Sequence, residues 1–276
     1  MTSIELNDVN RGGAAQTAEL LTHDPGLRYL IRVPEEINEA TPVVACIHGI
    51  RRAAQAHFQA FAPLAGQAGW LLLVPLFAAE AFPDYQRLGR PGKGRRADLA
   101  LIGLLAQLKS SLSLRVEALR LYGHSGGAQF VHRFAMAHPD RVARYALSAP
   151  GWYTFPDDSL EYPYGLAAAA AQGIRLHLGD FLAIPGAVFV GSADRRSGRN
   201  LRRNPVVDLH QGVHRLERAM RWTQAINSRA QAMGYREPLR LEQLPGGAHS
   251  FSGLVRNHGL HERVWAFLRG TAETDA

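Results

Sequence analysis

One stretch combines residue types and spacing that could do chemistry: Gly123-His124-Ser125-Gly126-Gly127, a G-x-S-x-G pattern. An apolar run, Leu119 to Tyr122, leads into it, and a helical pattern leads away from Ala128. Strand before and helix after is the context in which this pattern exposes a serine oxygen. The chain must turn sharply to do so, and Ser125 is expected in a strained backbone conformation. Side chains two residues before and after would collide across the turn, so Gly123 and Gly127 clear the space. The first amides of the new helix point at the reacting site and offer partial positive charge to an oxyanion. The chemistry implied is attack by a serine hydroxyl on a carbonyl.

A serine hydroxyl is a weak nucleophile near neutrality. It needs a base within hydrogen-bond reach and an acid that orients the base. In open parallel sheets such groups gather at the carboxyl ends of strands. Asp194 follows the apolar run Ala187 to Val190 and opens a loop, which makes it the preferred acid. Asp180 precedes that run and would sit at the wrong end. Asp208 lies at a helix start, where N-capping explains it, and stands in reserve. His249 follows the last strand in the glycine-rich Pro245-Gly246-Gly247-Ala248 loop and is the preferred base. His258 and His261 lie on or near the terminal helix and read as surface residues.

The elements that must position these groups alternate. A hairpin of strands lies within residues 17 to 34, turning at His23-Asp24-Pro25-Gly26. Buried strands follow at Val43 to Ile47 and Trp70 to Val74, with an amphipathic helix over Gln55 to Gln67 between them. A loop from Pro75 to Arg96 leads to a helix over Asp98 to Leu108. The strand into Ser125 is followed by a helix to Ala137, closed by His138-Pro139. Further strands lie at Arg144 to Ser148, Ala187 to Val190 and Leu239 to Leu244. A long helix is expected at Leu209 to Met233, with Leu209, Val213, Leu216, Met220 and Ile226 on its apolar face. A terminal helix is expected at Gly259 to Arg269. Ala167 to Ala171 reads as a short helix. The pattern predicts an α/β chain with a mostly parallel sheet of about eight strands, helices on both faces and an antiparallel edge. It needs only one domain across residues 1–276, with a short cap at about 151–186.

On His48-Gly49, Gly123-His124-Ser125-Gly126-Gly127, Asp194 and His249, the chain resembles the α/β-hydrolase family. The order Ser, Asp, His along the chain is the order of that family. Three further stretches resemble bacterial serine esterases related to polyhydroxyalkanoate depolymerases: His48-Gly49-Ile50-Arg51-Arg52, Tyr85-Gln86-Arg87-Leu88 and Gln211 to Arg218. The resemblance implies an oxyanion hole built from two backbone amides, those of Ile50 and Gly126. It implies two-step acyl transfer with Ser125 as nucleophile, His249 as base and Asp194 as orienting acid. His48 is expected to bond nearby backbone, His124 to pack against the sheet top, and His57 to be an ordinary helix residue.

Composition bounds the partners. The chain has 276 residues, 46% of them hydrophobic, which is enough for a sizeable core. No apolar run is long enough to span a membrane. The N-terminal stretch Met1 to Gly13 is polar, so a cytoplasmic location is expected. The single cysteine, Cys46, lies in an apolar run and is expected to be buried. The formal charge is +7, yet lysine occurs only at Lys93 and Lys109 and no nucleic-acid motif is present. No metal-ligand spacing appears, and no cofactor is expected.

Arginine recurs in three loops near the expected site: Arg51 and Arg52; Arg87, Arg90, Arg95 and Arg96; and Arg195, Arg196, Arg199, Arg202 and Arg203. A basic rim would favour carboxylate or phosphate. Charge runs ordinarily decorate solvated surface, and that reading is preferred. Trp152, Tyr153, Phe155, Tyr162 and Tyr164 cluster in the cap; Trp152 and Tyr153, nearest a strand end, are expected to touch substrate, with Arg51 beside them. The expected partner is a small-molecule ester, with no nucleic acid and no membrane, and a homodimer is left open. The leading function is hydrolysis of carboxylic esters with small or medium acyl groups. A thioesterase or acyltransferase would use the same triad, and a non-catalytic binding protein is a third reading.

Overall fold

The structure is a computed structural model that describes residues 20–21, 26–115, 117–196 and 201–270. Its strands are β1 (Leu20–Leu21), β2 (Leu27–Arg32), β3 (Val43–Ile47), β4 (Leu71–Phe77), β5 (Leu119–His124), β6 (Val142–Ser148), β7 (Gly186–Gly191) and β8 (Arg240–Leu244). They form one sheet in the order β1-β2-β4-β3-β5-β6-β7-β8. The seven longer strands make up its body, and β1 adds a two-residue edge. β2 pairs antiparallel with β1 and β4, and every other pairing is parallel. This is the architecture that the alternation of strands and helices predicts. Of the expected hairpin, strand residues 17–19 and 22 and turn residues 23–25 lie outside the described residues.

Helices α1 (Ala54–Ala68), α2 (Ala97–Ser111), α3 (Gly126–Ala137), α4 (Leu178–Leu182), α5 (Pro205–Gln211), α6 (Arg215–Ala232), α7 (Phe251–His258) and α8 (Leu260–Arg269) complete the fold. The period-two geometry of the strands divides the core into two layers. Val43, Ala45 and Ile47 face a cluster with Leu101 and Leu105 of α2, Phe130 and Phe134 of α3, and Trp222 of α6. Val44 and Cys46 face the other way, onto Phe58 and Phe61 of α1, Leu254 of α7 and Val264 and Trp265 of α8. A strand buried on both faces reads as a continuous apolar run, which is why β3 was legible.

Four local expectations are corrected. β4 does not end at Val74 but runs through Pro75 to Phe77. The proline is tolerated because β3 pairs with β4 only as far as Leu73, beyond which β4 has β2 alone as partner. The single helix expected at 209–233 is two, α5 and α6, broken at Gly212 with φ 105°. The break rotates the apolar face: Leu209, Val213 and Met220 are exposed, and Leu216, Ala219, Trp222 and Ile226 are buried. The chain end holds α7 as well as α8, divided by left-handed Gly259. The alanine tract forms only a 3-10 turn, Ala170–Gln172, closed by left-handed Gly173.

The segment between β6 and β7 packs through polar bonds more than through regular structure. Thr154 is its hub. Its hydroxyl accepts from Arg133 Nε at 2.9 Å and donates to the Pro163 carbonyl at 2.8 Å. Its carbonyl accepts from Trp222 Nε1 at 2.8 Å. Arg133 is wholly buried, and desolvation pulls its pKa down to about 9. Trp222 stacks on Tyr153 at 4.6 Å, so it joins this segment to α6. Trp222→Ala removes that stack and orphans the Thr154 carbonyl; it is expected to lower unfolding free energy by about 3–5 kcal/mol in urea titration.

Candidate active site

β5 delivers Ser125 and α3 begins at the next residue. Ser125 has φ 54° and ψ −112°, a conformation that a residue with a side chain rarely adopts. Its amide donates to Ser148 O at 2.8 Å, and its carbonyl accepts from Gln129 N at 3.1 Å, which holds the strained turn from both ends. The glycines are steric necessities. A Cβ on Gly127 would lie 2.0 Å from the Ile47 carbonyl oxygen, and one on Gly123 would lie 2.4 Å from the Gly127 carbonyl.

Asp194 and His249 arrive on loops after β7 and β8, and those loops are tied together. Ser192 N donates to Leu244 O and Ala193 N to Gly247 O, both at 2.9 Å. His249 Nδ1 lies 3.0 Å from Asp194 Oδ2, and His249 Nε2 lies 3.2 Å from Ser125 Oγ. A carboxylate can only accept, so Nδ1 carries the proton and Nε2 is free to accept from the serine. Asp194 is 3% exposed, and its other oxygen accepts from Arg215 Nη1 at 3.4 Å. Burial lowers the pKa of Arg215, and the nearby carboxylate offsets part of that. The reserve acid Asp208 is engaged elsewhere, with Arg203 and Arg218, both at 2.7 Å. Among the described residues no group of three or more His, Cys, Asp or Glu is placed to hold a metal.

Ile50 and Gly126 are brought side by side: a Cβ on Gly126 would stand 3.2 Å from Ile50 N. Gly126 is the first residue of α3, where backbone amides have no partner within the helix. His48 holds the neighbouring loop. Its Nδ1 bonds Gly49 O at 2.9 Å, and its Nε2 accepts from Phe77 N at 3.1 Å. Tyr85, which the residue-level reading did not single out, donates to His48 O at 2.8 Å and stacks on Phe77. Its only signal in sequence is the Tyr85-Gln86-Arg87-Leu88 stretch.

Imidazoles crowd the other side of the serine. The His124 ring stacks on that of His249, with centroids 5.1 Å apart. His124 Nδ1 bonds Ser148 Oγ at 2.8 Å, and Ser148 Oγ bonds Tyr122 OH at 2.7 Å. Burial pushes the His124 pKa well down, and the proximity of His249 pushes it further. A cleft of about 370 Å³ opens over Ser125 and His249, bordered by Ile50, Arg51, His57 and Phe251. His57 is buried on the cleft wall, which differs from the ordinary helix position expected for it.

Trp152 and Tyr153 do not border this cleft. Tyr153 is buried between Trp222 and His132, and Trp152 packs under Arg133 and Arg202. The arginine loops divide in the same way. Arg51 borders the cleft. Arg52 donates to the carbonyls of Phe77 at 2.8 Å and Ile50 at 3.2 Å. Arg90 pairs with Asp84 at 2.7 Å and Arg96 with Asp98 at 2.6 Å. Arg199 lies outside the described residues.

The Gln211 to Arg218 stretch joins the cap to Asp194. The Gln211 amide exchanges two bonds with the Tyr153 backbone, at 2.8 and 2.9 Å. Gly212 leaves room for Glu217, whose carboxylate accepts from Val213 N at 2.8 Å. His214 caps α6 by accepting from Glu217 N at 3.1 Å. Arg215 reaches Asp194, Leu216 enters the core, and Arg218 donates to Gly151 O at 2.6 Å and Asp208 at 2.7 Å.

The buried rings make stability depend on pH. Burial holds His48 down to about 4 and His57 to about 3, against 6.5 for a free ring. Below 6.5 the unfolded chain takes up protons that the folded state refuses, so stability is present above that pH and is lost as pH falls. Each ring is expected to remove about 1.4 kcal/mol per pH unit over that window. Thermal melts across the window test this; a constant Tm between pH 6.5 and 4 would contradict it.

Comparison with known proteins gives the fold's relatives. No protein-family model matches the chain, and no curated protein matches it in sequence. Among solved structures, poly(aspartic acid) hydrolase-1 from Sphingomonas sp. KT-1 is 28% identical with TM-score 0.72, covering 87% of this chain and 93% of that one. A poly(3-hydroxybutyrate) depolymerase from Bordetella parapertussis is 25% identical with TM-score 0.73, covering 91% and 86%. An S-formylglutathione hydrolase from Agrobacterium tumefaciens is 16% identical with TM-score 0.56, covering 92% and 90%. With the sheet order and the strand-to-helix serine turn, these matches show that the chain has the α/β-hydrolase fold and resembles the polyhydroxyalkanoate depolymerase-like hydrolases of that fold.

Proposed function

We propose that this protein is a serine hydrolase that cleaves carboxylic esters of small or medium acyl groups through an acyl-enzyme. The observation that carries the reading is the chain of contacts from Ser125 Oγ to His249 Nε2, 3.2 Å, and from His249 Nδ1 to Asp194 Oδ2, 3.0 Å. Likeness to a poly(3-hydroxybutyrate) depolymerase supports ester bonds as the class.

His249 takes the Ser125 proton as Oγ attacks the ester carbonyl. Asp194 accepts from Nδ1–H throughout, holding the tautomer and stabilising the imidazolium that forms. The amides of Ile50 and Gly126 receive the oxyanion. The imidazolium then protonates the leaving alcohol, and water repeats the sequence on the acyl-enzyme. Arg215 keeps the second Asp194 oxygen engaged, which limits rotation of the carboxylate. The cleft of about 370 Å³ suits a small or medium acyl group.

Hydrolysis of p-nitrophenyl esters across acyl chain lengths tests the assignment. Ser125→Ala is expected to abolish turnover, and Asp194→Asn to lower kcat by about 10⁴. Turnover that survives Ser125→Ala would overturn the serine mechanism.

A further inference from the structure

Arg51, His57, His124, Ser250 and Ser252 line the cleft outside the acyl-transfer machinery, and of these His57 is the buried one with an unpartnered ring nitrogen. His57, on α1, is 2% exposed and borders the cleft with Ser125 and His249. Its Nδ1 is buried and has no hydrogen-bond partner. One ring face lies flat on Phe251, with 4.0 Å between centroids and 10° between planes. Burial, reinforced by His48, keeps the ring neutral near neutrality. A neutral imidazole carries one N–H donor and one bare acceptor nitrogen. A buried polar atom left without a partner is uncommon in a folded chain and calls for a reason. A half-turn about the Cβ–Cγ bond keeps the ring in the same plane against Phe251 and exchanges its edges. The half-turn exchanges Nδ1 with Cδ2 and Nε2 with Cε1, so each long edge of the ring carries one nitrogen in either orientation.

We propose that His57 is a specificity-determining residue that hydrogen-bonds a neutral oxygen, ether or hydroxyl, on an acyl chain lodged between α1 and α7. Ala53, Ala56 and Phe251 give the wall its apolar part, and Ser250 and Ser252 flank Phe251. A buried polar point on such a wall favours an oxygen at one place along the chain. A site that hydrogen-bonds its substrate also rejects the analogue lacking the partner, because the buried polar group then stays unpaired. His57 hydrogen-bonds neither Ser125 nor His249, so its role is selection among acyl chains. The inference rests on the serine-esterase reading.

The test compares p-nitrophenyl hexanoate with isosteres in which one methylene, at C3, C4 or C5 in turn, is replaced by an ether oxygen. Inductive activation of the ester by the ether oxygen is the same in every protein variant, so the readout is each isostere's kcat/KM relative to hexanoate, compared between proteins. The native protein is expected to favour one isostere by about tenfold relative to His57→Phe, which keeps a ring stacked on Phe251 and removes its polarity. His57→Gln, which restores a donor and an acceptor, is expected to recover part of that preference. Identical ratios at every position in the native protein and His57→Phe would overturn the proposal. So would loss of all substrates by one common factor, which marks a packing role. If the native protein turned over none of the esters and a fluorophosphonate failed to label Ser125, the esterase reading itself would fall, and this inference with it.

Discussion

The arrangement depends on the crossing of two backbones at the top of the central strands. Gly127, at the start of α3, passes so close to the end of β3 that any side chain there would lie 2.0 Å from the Ile47 oxygen and 2.6 Å from the His48 oxygen. That approach sets the Ile50 amide beside Gly126 and turns Ser125 out at φ 54°. Such a backbone conformation costs on the order of 1–3 kcal/mol and persists only where the surroundings over-determine it. Here they do. The Ser125 amide is held by β6, Tyr85 holds the His48 carbonyl, and the Phe77 amide holds the His48 ring.

The second arm of the site is supported differently. Asp194 is buried, and an unpartnered buried carboxylate would be costly. Arg215 and His249 share its two oxygens. Arg215 begins α6, so the helix that fills the core with Trp222 also completes the acid's surroundings. Gln211, four residues upstream, grips the Tyr153 backbone, and Arg218 grips Gly151. Packing of the cap, placement of the acid and capping of the helix are thus one set of bonds. Removing any member leaves a buried polar atom without its partner, which costs more than a typical exposed hydrogen bond contributes.

This accounts for the aromatic residues of the cap. Trp152 and Tyr153 lie near a strand end, the place where a substrate contact is expected from sequence. The structure uses them as packing against Arg133, Arg202 and Trp222. The cleft opens instead toward α1 and α7, where His57 and Phe251 form its wall. Nothing in residue type distinguishes the two outcomes. An aromatic side chain fills a core and lines a pocket by the same burial of apolar area.

Chain-local physics determined much on its own. The glycine spacing around Ser125, the apolar runs of β3 and β7, and the loops that follow β7 and β8 are written in residue types and short intervals. They are legible because strand burial, turn sterics and the position of strand ends act over a few residues. Tertiary structure decided the rest. The single helix read over 209–233 is divided because Gly212 accommodates Glu217 and lets α6 aim Arg215 at Asp194. Pro75 stays in a strand because β3 has already stopped pairing there. The burial of His57, the stacking of His124 on His249, and the bonds of Arg52 to the Phe77 carbonyl and of Arg96 to the Gly173 carbonyl join residues far apart in the chain. No local pattern encodes such contacts, because they exist only once the sheet has brought its strand ends together.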